Sequence, residues 1–338
     1  MNGRTKGILR TTTTGRVWNL ILLKTSFRLS ILLRKPIHWG KPLAVSIEPT
    51  TACNLRCPQC PSGLRQFSRP TGNLRSENNL KILDGIGNQL QYVNYYFQGE
   101  PFIHPNFLDL VRQAADRKIY VVTSTNAHFI TEKNAKYIVQ SGLGEAIISI
   151  DGTTQESYVT YRVEGKLKKV LEGTRHLTNA KKLNQNKGPH IVFQFLVTKK
   201  NEHQIDELYK LAKEYNVDEV RLKTLQVYDL TEEGKELIPE NENYSRYKKD
   251  DEGNFSLKNK FKNQCWRMWS SCVITWDGKI VPCCFDKDAS LEMGNILDTD
   301  FKKIWKSQVY KGFRQAVHKN RAQIEICKNC SEGSKVWA

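Results

Sequence analysis

Ser46-Ile47-Glu48-Pro49-Thr50-Thr51-Ala52-Cys53-Asn54-Leu55-Arg56-Cys57-Pro58-Gln59-Cys60 is the stretch on which the fold turns. Up to Ala52 it reads as a strand leaving an interior and giving way to a loop. Cys53, Cys57 and Cys60 then stand at the C-terminal end of a β-strand, where α/β proteins carry their active sites. Three thiolates this close in sequence can hold three corners of a cubic [4Fe–4S] cluster and leave the fourth iron without a protein ligand, whereas a structural cluster takes four cysteines. An open iron is free to bind something else. Zinc favours paired C-x-x-C knuckles that supply four ligands, and no fourth cysteine lies beside this triplet.

Outward from the triplet, apolar runs alternate with helical patterns. The expected strands are Leu43–Pro49, Tyr92–Gln98, Tyr120–Ser124, Ala146–Asp151, Ile191–Val197 and Glu219–Leu225. Between them the periodicity predicts helices over Ser76–Leu90, Pro105–Arg117, Thr131–Ser141, Leu167–Lys182 and Glu202–Tyr215, with Ser76 and Thr131 as N-caps and Gly142 following a helix. Strand–helix alternation implies parallel strands joined by right-handed crossovers. Six units fall short of the eight of a closed barrel.

The C-x-x-x-C-x-x-C loop after a first strand resembles the radical S-adenosylmethionine (SAM) superfamily. That resemblance implies an α/β fold, a partial (β/α)6 TIM-like barrel. It also implies a [4Fe–4S] cluster held by three cysteines and SAM, with SAM cleaved to methionine and a 5′-deoxyadenosyl radical that abstracts a substrate hydrogen. Gln98-Gly99-Glu100-Pro101 resembles the family's G-G-E-P motif near the SAM amino group, with glutamine in first place. Ser124-Thr125-Asn126 and Ser149-Ile150-Asp151 resemble its ribose-contacting strand ends, although turn and cap chemistry would also place such residues there. Gln194 and either Arg221 or Lys223 are expected to face the SAM carboxylate or the substrate, or to be ordinary strand-end residues. Gln59 stands where the family usually has an aromatic residue near the adenine.

A polar stretch, 227–262, separates this barrel segment (43–226) from a second cysteine-rich one (263–338) and reads as a linker or lid. Cys265-WRMWSS-Cys272-VITWDGKIVP-Cys283-Cys284 alternates around Asp277-Gly278 as a hairpin with a tight turn. That pattern predicts Cys265 and Cys283 near opposite ends of a small ribbon, and the chain later carries Cys327-Lys-Asn-Cys330. The segment resembles the SPASM/twitch extension of radical SAM enzymes, a small β-hairpin and helix iron–sulfur domain. The resemblance implies one auxiliary [4Fe–4S] cluster on Cys265, Cys283, Cys327 and Cys330, in the shorter twitch-like form, with Cys272 and Cys284 spare or exchangeable with a neighbour. A zinc ribbon on the same four thiols is the alternative.

Composition narrows the partners. The 338 residues carry a formal net charge of +17, but pairs such as Lys168-Lys169 and Lys302-Lys303 are dispersed as solvated helix faces, so no nucleic-acid partner is expected. Nine cysteines fit a reducing cytoplasm. The first 43 residues hold nine Lys or Arg and no Asp or Glu. Within residues 1–42, Val17–Leu33 reads as an amphipathic helix, too short and too interrupted to span a membrane. It is expected either to cap the main domain or to touch an anionic membrane surface peripherally. The segment is too short for a winged-helix peptide-recognition domain. The expected activity is therefore a radical SAM oxidoreductase, supplied by a flavodoxin- or ferredoxin-type electron donor, acting on a sugar, aminocyclitol or other alcohol. The alternatives are a maturase of a ribosomal peptide or protein side chain, and a non-enzymatic iron–sulfur or zinc protein.

Overall fold

The computed structural model describes residues 3–227, 232–258 and 262–330, so parts of the polar stretch and residues 331–338 lie outside the described residues. Six strands, β1 (Ala44–Ile47), β2 (Tyr92–Asn94), β3 (Tyr120–Thr125), β4 (Leu143–Ser149), β5 (His190–Val197) and β6 (Glu219–Thr224), pair in sequence order, all parallel. Helices Ser76–Ile86, Phe107–Asp116, Glu132–Gln140, Leu167–Leu183 and Ile205–Glu214 return the chain between them. Strand alternation explains the layering: Ile191, Phe193, Phe195 and Val197 of β5 join Ile82, Leu110, Ile138, Val170 and Leu208 of the helices in one core, while Val192 turns inward. Each such aliphatic or aromatic side chain contributes about 1.5–3 kcal/mol when fully buried.

Local signals fare unevenly. Thr131 caps its helix in a reciprocal box with Asn134, and Gly142 follows that helix at φ +87°. Ser76 is instead the first helical residue, with Arg75 at the cap; its hydroxyl accepts from Gln113.

The insertion after β6 is not a bare linker. Its described residues include a hairpin of β7 (Tyr247–Lys249) and β8 (Phe255–Leu257). Ile238, Tyr247, Phe255 and Leu257 pack in one apolar cluster with Leu55, Tyr161 and all three cysteines of the first loop. The segment thereby covers that loop.

The second cysteine segment does not form a separate sheet. β9 (Ser271–Ile274) pairs parallel with β1, Ala44 opposite Ser271, and β10 (Lys279–Val281) and β11 (Gly294–Asn295) extend the same nine-stranded sheet. Gly278 closes the β9–β10 turn at φ +86°, where a Cβ would lie 2.6 Å from Asn295 and Leu297. Cys265 precedes β9 and Cys283 follows β10, so both fall at the open end of the hairpin. The expected opposite-end placement is corrected by antiparallel geometry itself.

The N-terminal segment closes the other end of the barrel. Helix α1 (Gly3–Arg10) lies against the N-terminal ends of the strands, its glycines packed so closely that a Cβ would meet His190 from Gly3 and Tyr120 from Gly7. Ile8 joins Tyr92, Tyr120, Val122, Ile147 and Val192 in the barrel floor.

Candidate active site at the cysteine loop

The loop is built from β1 outward. Glu48, fully buried, receives a two-pronged ion pair from Arg69 at 2.6 and 2.9 Å and the Trp276 N–H at 3.3 Å. Burial pushes its carboxyl pKa up and Arg69 opposes the shift. One carboxylate thus fixes the exit of β1, the chain beyond the cysteines and the β9–β10 turn. The short helix Pro61–Leu64 starts immediately after Cys60, and Gly63 sits so close to Cys57 that a Cβ would come within 2.6 Å of its nitrogen. The three thiols are held on one compact turn. Burial raises the Cys53 thiol to about 12 and also raises Cys57, so both are protonated until a metal displaces the proton.

Gln98-Gly99-Glu100-Pro101 lies directly beneath. The Gln98 side-chain oxygen is 3.8 Å from Cys60 Sγ and accepts from Ser62 at 3.4 Å; the Gly99 N–H donates to Ser62 Oγ at 2.8 Å. Gly99 has φ +74°, and a Cβ there would meet the Thr50 carbonyl at 2.3 Å, so only glycine permits this approach. Glu100 is fully engaged: Oε1 accepts from Phe102 N and Thr125 Oγ1, Oε2 from Asn126 N, at 2.7–3.1 Å. Its carboxylate therefore ties the β2 and β3 ends together, and Pro101 is buried at the start of the turn that follows. Asn126 donates to Asn54 of the cysteine loop at 2.8 Å.

Ser149 faces Ser124 at 3.4 Å. Asp151, 1 % exposed, accepts from Leu196 N at 2.7 Å and is paired with Arg162. Both of its oxygens are thus occupied by protein, and it acts here as the anchor of Arg162, whose Nη1 is 3.7 Å from Cys57 Sγ. Nothing in the sequence marks Arg162, since it follows Asp151 by no recognisable motif. Gln194 is half-buried on the inner face of β5, in register with Ser149 and Arg221. Arg221 is a correction. Its guanidinium is taken by Glu145 at 3.0 Å and Glu219 at 2.9 Å, in a charge cluster with Arg4 and His190 toward the floor. Lys223, two residues on, is exposed, with Cys284, Arg246, Lys287 and Asp151 as its charged surroundings; burial lowers the pKa of Lys287.

The second cysteine set is assembled from distant segments. The charge of Cys265 acts on the Cys283 thiol, and those of Cys265, Cys330 and Cys327 on Arg321, whose Nη2 is 3.0 Å from Cys330 Sγ. Asn329, inside the last C-x-x-C, accepts from the Tyr247 hydroxyl at 2.9 Å, which links this set to the cover over the first loop. Cys284 turns the other way, 3.3 Å from Arg267 and toward Lys223 and Lys287; the hydrogen bond from Cys283 lowers its pKa. Cys272 is 2 % exposed in the main core between sheet and helices, and burial raises it to about 12. Among the described residues no group of three or more Cys, His, Asp or Glu side chains is gathered closely enough to hold a metal ion. The first three thiols share one turn with glycine backbone beneath it, and Arg321 stands beside Cys330 of the second set.

Known proteins bear on both. Residues 47–212 match the radical SAM superfamily, and residues 265–331 match SPASM, an iron–sulfur cluster-binding domain. The chain is 28 % identical over 320 residues to the tungsten-containing aldehyde ferredoxin oxidoreductase cofactor-modifying protein of Pyrococcus furiosus, covering 84 % of this chain and 86 % of that protein. It is 23 % identical over 332 residues to the AdoMet-dependent heme synthase of Methanosarcina barkeri, covering 86 % and 91 %. Its fold is similar to Streptococcus suis SuiB bound to its precursor peptide SuiA, with a TM-score of 0.61 and 17 % identity over 87 % of this chain and 72 % of that one.

Proposed function

The chain belongs to the radical SAM superfamily, with a C-terminal SPASM domain, and from that premise we propose that it oxidises a small molecule held between its two cysteine sets. When bound at Cys53, Cys57 and Cys60, a [4Fe–4S] cluster supplies the electron that splits SAM into methionine and the hydrogen-abstracting 5′-deoxyadenosyl radical. The observation that carries this reading is Gly99, whose backbone alone can approach the loop so closely beneath three thiols on one turn. Arg162, anchored by Asp151, balances charge beside Cys57. The cover formed by Ile238, Tyr247, Phe255 and Leu257 packs beside the thiols, with Cys57 buried and Cys53 and Cys60 part-exposed. Gln98, Asn126, Ser149 and Gln194 line the strand ends where SAM would be oriented.

Cys265, Cys283, Cys327 and Cys330 are the proposed ligands of one auxiliary cluster, with Arg321 offsetting its charge. Its role is to take the second electron or to anchor the substrate, and a flavodoxin- or ferredoxin-type protein is the proposed reductant. The two relatives matched over most of their lengths are named for modifying a cofactor and for making heme, which favours a small-molecule substrate. The likeness to SuiB is one of fold. The test is anaerobic reconstitution with iron and sulfide, then reductant and SAM. The reading predicts 5′-deoxyadenosine and about eight irons per chain; zinc retention without nucleoside would overturn it.

A further inference from the structure

Helix α2 (Thr14–Leu33) is turned inside out. Its inward stripe is Arg16, Asn19, Leu23, Ser26 and Ser30, all buried and four of the five polar. These side chains are held by specific partners. Arg16 donates to the carbonyls of Asn88 at 3.1 Å and Lys118 at 2.6 Å, Asn19 exchanges two 2.9 Å hydrogen bonds with the Lys41 backbone, and Ser30 donates to Ile37 O at 2.5 Å. Phe27 packs edge-on against Trp266 and Trp269. The rotation of the helix is therefore fixed, and its outward face carries Val17, Trp18, Ile21 and Leu32, exposed by 45, 61, 48 and 76 %.

A water-facing surface of this kind on a folded chain marks a contact site. Its charge says with what. Lys24 and Arg28 project among these apolar residues, and Lys6, Arg10, Arg34 and Lys35 are exposed nearby in sequence. No acidic residue precedes Glu48. Among the described residues no helix is long and apolar enough to cross a membrane. An apolar face set with cations and an exposed tryptophan matches the boundary between anionic headgroups and acyl chains. We propose that the outward face of α2 lies on an anionic lipid bilayer surface. Because α1 and the start of α2 sit at the strand N-termini, docking this way leaves the cysteine loop at the end of the barrel remote from the lipid.

The test uses the full-length reconstituted protein and co-sedimentation with vesicles of phosphatidylcholine, with and without phosphatidylglycerol. Binding to the anionic vesicles alone is expected. Lys24→Gln with Arg28→Gln should weaken it about thirtyfold, since each basic residue near a charged surface is worth about 1 kcal/mol. Trp18→Ser should weaken it further, and all variants should form 5′-deoxyadenosine at the parent rate, which shows that they are folded. Equal binding to neutral vesicles, or no binding together with a concentration-dependent dimer that Trp18→Ser abolishes, would overturn the proposal; the dimer would assign the face to a second copy.

Discussion

The two proposed cysteine sets are built by opposite routes. Cys53, Cys57 and Cys60 lie on eight consecutive residues whose geometry is set by their own turn and by Gly63 and Gly99 pressed against it. The proposed second set draws on separate segments: Cys265 and Cys283 flank a hairpin that pairs with β1, and the C-terminal helices carry Arg321 and the last two thiols. A local site is robust to remote change and intolerant of change in its own backbone. A site assembled across the chain depends on packing everywhere between.

Cys57→Ala should separate the sets most sharply. It is expected to reduce 5′-deoxyadenosine formation below detection and to remove about four of about eight irons, leaving the C-terminal cluster visible by electron paramagnetic resonance. Loss of all iron would mean that the sets are not independent. Gly99→Ala tests the backbone claim: the added carbon meets Thr50 O at 2.3 Å in a left-handed conformation. Cleavage should fall about ten- to a hundredfold with full iron content, and unchanged cleavage would remove Gly99 from the site.

Arg162→Met leaves Asp151 buried without its counter-charge and should cost about 3 kcal/mol in urea unfolding of the apo-protein. Adding Asp151→Asn should recover part of the loss; no recovery would show that the pair is not what the substitution breaks. The second set is expected to be the more acid-sensitive. His38 packs on Trp305 and lies within hydrogen-bond range of Trp269 O at 2.9 Å, with Nδ1 buried and unpartnered among the described residues. Burial, and then Arg314, pull its pKa from 6.5 to about 3. The unfolded chain then binds the extra proton first, so stability present above pH 6.5 is lost progressively as pH falls toward 3. His38→Gln should flatten that part of the melting curve against pH. Smallest of all, Cys272→Ala should cost about 1 kcal/mol and no iron, because its sulfur is core rather than ligand.

This contrast also explains what could be read in advance. The triplet, Gly99 and the Thr131 cap are legible because short-range backbone rules fix them. Arg162 and the redirected Arg221 are not, since each is decided by a partner elsewhere: Cys57 is 105 residues from the first, and Glu145 is 76 from the second. The buried polar stripe of α2 defeats periodicity for the same reason. Arg16 and Asn19 are inside only because particular carbonyls await them.

The pairing of β1 with β9 has a consequence for how the molecule can be divided. Four successive residues of β1, Ala44 to Ile47, are matched by Ser271 to Ile274. A fragment ending near residue 226 would leave β1 as a bare edge with unpaired amides and carbonyls, open to pairing with another chain. The boundary at which two families meet in this sequence is therefore no place to cut the polypeptide. The two matched segments fold as one sheet, and the first of them alone is expected to aggregate.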